Sequence, residues 1–181
     1  MPIRFQLQIP PLKLRDYLSR YGFEAEPKFD HLRQVGTSPG FLTLDQLSEL
    51  CESKSAQQAE LARMNSPALV REITAFAFAA QCEESRIGAL TVLRGIGFPT
   101  ASLILHYCVD QTYPILDSRS LWSLGIKKPP VPYTVDFWID YVDSCRRLAA
   151  QYGLTVRELG QALWQFSAEH QPKASRIEED D

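Results

Sequence analysis

Histidine and methionine are scarce in this chain, at three and two residues of 181, and its four cysteines stand singly. Cys51, Cys82, Cys108 and Cys145 include no Cys-x-x-Cys pair, so neither a zinc centre nor a disulfide framework is suggested, and buried free thiols are expected. His106 lies on an apolar background with no His or Cys at ligand spacing, which favours a hydrogen-bonded structural role over a metal site. His31 falls in a loop and His170 near a helix end. The chain therefore calls for no metal and no cofactor. It has no uninterrupted run of about eighteen apolar residues. Its opening, MPIRFQLQIPPLKLR, has no apolar segment of signal-peptide length, so a cytoplasmic protein without membrane contact is expected. Strand-like alternation and internal repeats are missing as well. Nor is there a surplus of positive charge: the formal charge is −3 and the pI about 5.7, which weighs against tight non-specific nucleic-acid binding. Part of that deficit is local, because Glu178, Glu179, Asp180 and Asp181 crowd into residues 173–181, read here as an acidic, disordered tail.

What is present is apolar and helical. A hydrophobic content of 45%, with nine Phe, seven Tyr and three Trp, is ample for a core, and the length suits one domain or two small lobes. We read residues 1–172 as one all-α, multi-helix globular domain. A short helix runs over 12–21 after Pro10-Pro11, with Leu14, Leu18 and Tyr21 on one face. The stretch 23–41 is irregular, although Phe23, Phe29 and Phe41 should pack against the body. Thr43 with Gln46 is a capping box for a helix to about Ser53, and a further short helix covers 56–64. Ser66-Pro67 opens a helix whose charge-free run from Ile73 to Ala80 predicts burial on most sides. The proline-rich run 127–132 reads as a stiff connector, Thr134 caps a long helix to Tyr152, and Thr155 with Glu158 boxes a last helix to about His170.

The stretch from Arg86 to Leu124 carries the chemistry. Ile87, Leu90 and Leu93 recur at helical spacing, Gly95-Ile96-Gly97 interrupts, and an apolar segment resumes from Thr100 to Val109, which predicts a helix-hairpin-helix over 84–109. A hairpin this short needs a positive φ or a close approach somewhere, and glycine allows both. Pro99 fits the first turn of the second helix. The amide groups at such a helix start, with the positive end of the helix dipole, suit an anion such as a phosphate.

Leu93, Gly95, Ile96 and Gly97, followed by Thr100, Ala101 and Asp117, resemble the helix-hairpin-helix DNA glycosylase superfamily. Its hairpin has the form Leu-x-Gly-hydrophobic-Gly, followed by Thr-Ala and an essential Asp. The resemblance covers about forty residues, includes the run Ile115-Leu116-Asp117-Ser118-Arg119, and implies a trimmed, divergent member of that fold. Asp117 lies eighteen residues after Pro99, the spacing the family keeps between its Schiff-base lysine position and its Asp. Proline has no amine, and no lysine occurs between Lys54 and Lys127, so the resemblance implies a monofunctional enzyme that uses water as nucleophile. The family's four-Cys iron–sulfur loop is not carried over, since only Cys145 lies beyond Asp117.

The resemblance thus makes Asp117 a candidate catalytic residue and Arg94, Gly95, Ile96, Gly97, Thr100 and Arg119 candidate DNA contacts. Each also has a plainer reading. Asp117 precedes a helical segment and suits an N-cap, and both roles can hold at once. The hairpin could be a tight helix connection, Arg94 and Arg119 solvated or paired with carboxylates, and Trp122, Trp138 and Trp164 core rather than base-stacking groups. Lys127 and Lys128 form the other compact basic cluster near the motif. The expected activity is removal of a damaged or mismatched base. The alternative is a non-catalytic helix-hairpin-helix module that binds DNA or protein.

Overall fold

The computed structural model describes residues 4–22 and 29–172, so Phe23 and the acidic run 173–181 fall outside it. The described residues form nine α-helices and no strand, consistent with the all-α expectation. Contacts group into two compact units, Pro27–Ile115 and a second made of Met1–Glu26 with Leu116–Asp181. No helix among the described residues is long and apolar enough to cross a membrane.

In the Pro27–Ile115 unit, Phe29, Leu32 and Val35 are buried around a 3-10 turn at Asp30–Leu32, while Phe41 is half-buried beneath the Arg71 guanidinium, 4.3 Å from its ring centroid. Helices α2 (Leu44–Glu52), α3 (Ala56–Arg63), α4 (Pro67–Ala79), α5 (Glu83–Leu90) and α6 (Phe98–Cys108) follow. The Thr43–Gln46 capping box forms in both directions, and Ser66 Oγ accepts from the Leu69 amide with Pro67 in the first turn. The core element is α6, in which every residue from Thr100 to Cys108 is buried. Buried Thr74 on α4 accepts from the Leu42 amide at 2.9 Å and donates to the Val70 carbonyl at 2.7 Å, so its hydroxyl is satisfied.

Two expectations are corrected in this unit. The helix α4 buries one face only: Val70, Thr74, Ala77 and Phe78 are inside, but Phe76 is 54% exposed and Leu69, Arg71, Glu72 and Ala79 are also outside. Alanines and two phenylalanines leave the run charge-free without making every face a packing face. Among the cysteines, Cys51, Cys108 and Cys145 are buried, whereas Cys82 is exposed at the N-cap of α5 with its thiol donating to Glu84. Three of the four thus keep the packing role and one faces solvent.

The other unit contains α1 (Leu14–Arg20), α7 (Ser118–Ser123), α8 (Val135–Tyr152) and α9 (Val156–His170). Thr134 caps α8, the Thr155–Glu158 box opens α9, and Gly153 ends α8 in the left-handed region at φ 61°, the usual glycine stop. An extended segment before α1 donates from the Gln6 and Gln8 amides to the Leu124 and Ser123 carbonyls. Phe5 from this segment packs on Phe137 and Tyr141 at 5.4 and 5.6 Å between centroids. Helices α1, α7 and α9 share an aromatic seam: Tyr17 and Trp122 flank Phe166, and Tyr21 meets Trp164 edge-on. Trp138 is fully buried, while Trp122 and Trp164 are half-buried.

Candidate nucleic-acid site

The hairpin between α5 and α6 is held from below by α3. Gly95 has φ +81°, and a Cβ there would stand 2.6 Å from the Gln58 carbonyl oxygen and 2.9 Å from the Ala62 nitrogen. Only glycine combines that backbone with that approach. Buried Asn65, just after α3, completes the clamp. Its amide accepts from the Arg94 N–H at 3.0 Å and donates to the Arg94 carbonyl at 3.0 Å and the Ala62 carbonyl at 2.8 Å. Thr100 points the same way, donating to Gln58 Oε1 at 2.9 Å, and Ile96 is buried. Three of the sequence-expected contact residues, Gly95, Ile96 and Thr100, therefore turn inward and set the shape of the hairpin. What they leave outward is backbone.

Gly97 differs from its neighbour. It is exposed, extended at φ −93° and ψ 179°, and a Cβ there would meet only Pro99 Cδ at 3.7 Å. It is the N-cap of α6, makes no side-chain capping bond, and Pro99 follows within the first turn. A bare peptide at the start of an eleven-residue helix can be approached closely by an anion. Arg94 is exposed beside it in sequence, with its backbone fixed by Asn65.

In the other unit, Asp117 is the half-buried N-cap of α7. Its Oδ1 accepts from the Ser120 amide at 2.8 Å and its Oδ2 from Ser120 Oγ at 2.9 Å. Behind Ser120 stand Tyr141 and Cys145 of α8, whose hydroxyl and thiol hydrogen-bond to each other, the hydroxyl also bonding to Ser120. Burial first, and then the neighbouring Cys145 and Asp117, hold the Tyr141 hydroxyl well above its ordinary range, while burial pushes the Cys145 thiol to about 12. Arg119 is half-buried and stacks on Trp164, its guanidinium carbon 4.6 Å from the ring centroid.

His106 hydrogen-bonds through Nδ1 to the Tyr113 carbonyl at 2.7 Å, a structural contact inside the Pro27–Ile115 unit. The described residues contain no group of three His, Cys, Asp or Glu placed to hold a metal ion. Sequence reasoning missed Gln58, Asn65 and Ser120, each of which bonds to an expected site residue, and Tyr141, which stands behind Ser120. The Ser120 amide was within reach, since an N-cap Asp accepts from the amide two or three positions on, but the hydroxyl contact was not. Asn65 and Gln58 meet partners 29 and 42 residues away and carry no local signal. No family model, curated protein or solved structure matches this chain.

Proposed function

We propose that this chain binds DNA through its hairpin and removes a base as a monofunctional N-glycosylase, with Asp117 assisting water. The observation that carries the DNA reading is the division of labour between the two hairpin glycines. Gly95 is locked against α3, and Gly97 leaves an exposed, unobstructed peptide at the start of α6. In base excision the C1′–N bond breaks with its electron pair leaving on the base, which takes a proton from solvent. A water oxygen bonds to C1′, and its proton passes to the carboxylate. Asp117 suits both halves of this step, because a fixed anion stabilises the cationic sugar as it forms and a carboxylate accepts the proton of the attacking water. A base must leave the stack to be excised, and a mismatched or damaged one unstacks at least cost.

A non-catalytic binding module is the second reading. It is favoured by exposed apolar groups around the hairpin support, Leu61, Met64 and Val92, which are 40%, 61% and 63% exposed. The test is incubation of the purified protein with duplexes bearing hypoxanthine, uracil, 8-oxoguanine or an etheno-adenine, with abasic sites scored by alkaline cleavage. Release of one of these bases, abolished in Asp117→Asn, supports the enzyme. DNA binding without release from any duplex favours the module.

A further inference from the structure

Ser120 is 1% exposed and engages both oxygens of Asp117, one through its amide and one through its hydroxyl. The amide bond is the ordinary capping contact, and α7 needs it. The hydroxyl bond is not needed for the cap, yet it ties down the second oxygen and removes the carboxylate's freedom to rotate. A serine hydroxyl has one proton. That proton points at Asp117 Oδ2, and the Tyr141 side chain behind Ser120 is hydrogen-bonded to both Ser120 and Cys145. The four groups make one connected set of hydrogen bonds that reaches the carboxylate through Ser120. A buried set of bonds of this kind resists reorientation. Both Tyr141 and Cys145 are 1% exposed, so water does not compete for these bonds.

We propose that Ser120, backed by Tyr141, is a positioning residue that fixes the Asp117 carboxylate toward the sugar of a bound nucleotide, in addition to the helix-capping role of its backbone. This rests on the reading of Asp117 as the group that meets a developing positive charge. A carboxylate held in one orientation keeps an oxygen aimed at the charge on the sugar, and a rotating one does so only part of the time.

The experiment compares two 20-base-pair duplexes, one carrying a cationic pyrrolidine abasic analogue and one a neutral tetrahydrofuran analogue. Their dissociation constants are measured on the same sample, so the folded fraction cancels in the ratio. Wild type should favour the cationic duplex by about tenfold or more, Asp117→Asn should lose the preference, and Ser120→Ala should retain about threefold or less. Tyr141→Phe should fall between wild type and Ser120→Ala, and it gives the reading if Ser120→Ala fails to fold. A merely structural Ser120 would lower the melting temperature and leave the ratio untouched. A wild-type preference lost in Asp117→Asn but intact in Ser120→Ala and Tyr141→Phe overturns the positioning role alone. No preference in wild type removes the reading of Asp117 on which the role rests, and the role with it.

Discussion

Gly95 and Gly97 are two residues apart and look alike in the sequence, yet the structure gives them opposite tolerances. Gly95→Ala adds a Cβ at positive φ against the α3 backbone, so it should cost at least about 2 kcal/mol in denaturant unfolding. Gly97→Ala has open space and an ordinary backbone, and its stability should stay within about 0.5 kcal/mol of wild type. That glycines sit here was legible from the sequence; which of them is locked was not, because the carbonyl that excludes a side chain at Gly95 belongs to Gln58. Cysteine shows the same limit, since exposure at Cys82 follows from its place at a helix start and not from its residue type. Burial pushes the thiols of Cys51, Cys108 and Cys145 to about 12. A raised folded pKa leaves these groups without effect below the ordinary thiol range. Above it the unfolded chain ionises first, so stability should fall as pH rises from about 9 towards 12. A thiol reagent added to the native protein near pH 8 should modify Cys82 quickly and the other three only on unfolding. Rapid modification of all four would contradict the packing described.

At the scale of elements, the caps were the most readable feature, because Thr43, Ser66, Asp117, Thr134 and Thr155 each satisfy amides within their own first turn. Local chemistry decides them, and a single sequence holds local chemistry. The exposed face of α4 was unreadable for the converse reason: which side of an apolar helix is covered depends on helices elsewhere in the chain. The pairing of α1 with α9 was equally invisible. It includes a two-pronged bond from Arg20 to the two oxygens of Glu169, at 2.9 and 3.0 Å, and a 2.8 Å bond between Tyr17 and His170. The bond from Arg20, helped by Gln165, holds the Glu169 carboxyl at about 2. A depressed folded pKa gives stability that is present above the ordinary carboxylate range and lost as pH falls from about 4 towards 2. Both partners face solvent, so the effect should be small. Arg20→Ala should lower the melting temperature slightly at low salt near pH 7, and the difference from wild type should shrink in 1 M salt. A large loss that salt does not change would place this pair deeper in the fold than its exposure indicates.

At the scale of the whole molecule, the all-α class followed from period and caps, while the grouping of contacts into two units did not. Pro27 and Pro114 stand beside the two boundaries, but neither the irregular stretch 23–41 nor the run near 115 marks a division between units from sequence alone. The candidate site shows the same limit: the motif order from Leu93 to Asp117 was legible, but the clamp on the hairpin and the hydrogen bonds behind Asp117 are tertiary. The proposed chemistry also excludes an outcome. Pro99 offers no amine and no lysine lies between Lys54 and Lys127, so borohydride reduction with an abasic-site duplex should trap no protein–DNA adduct. An adduct lost on mutating Lys127 or Lys128 would contradict the monofunctional mechanism. The central claim, that the hairpin meets the DNA backbone at Gly97, is tested most directly by fluorescence anisotropy of a labelled duplex across a salt series with wild type and Gly97→Leu. Wild-type affinity should fall with salt at about −0.9 per phosphate contact in a log–log plot, and Gly97→Leu should bind more weakly at unchanged helicity. Equal affinities for the two proteins, or wild-type binding that salt does not weaken, would contradict it.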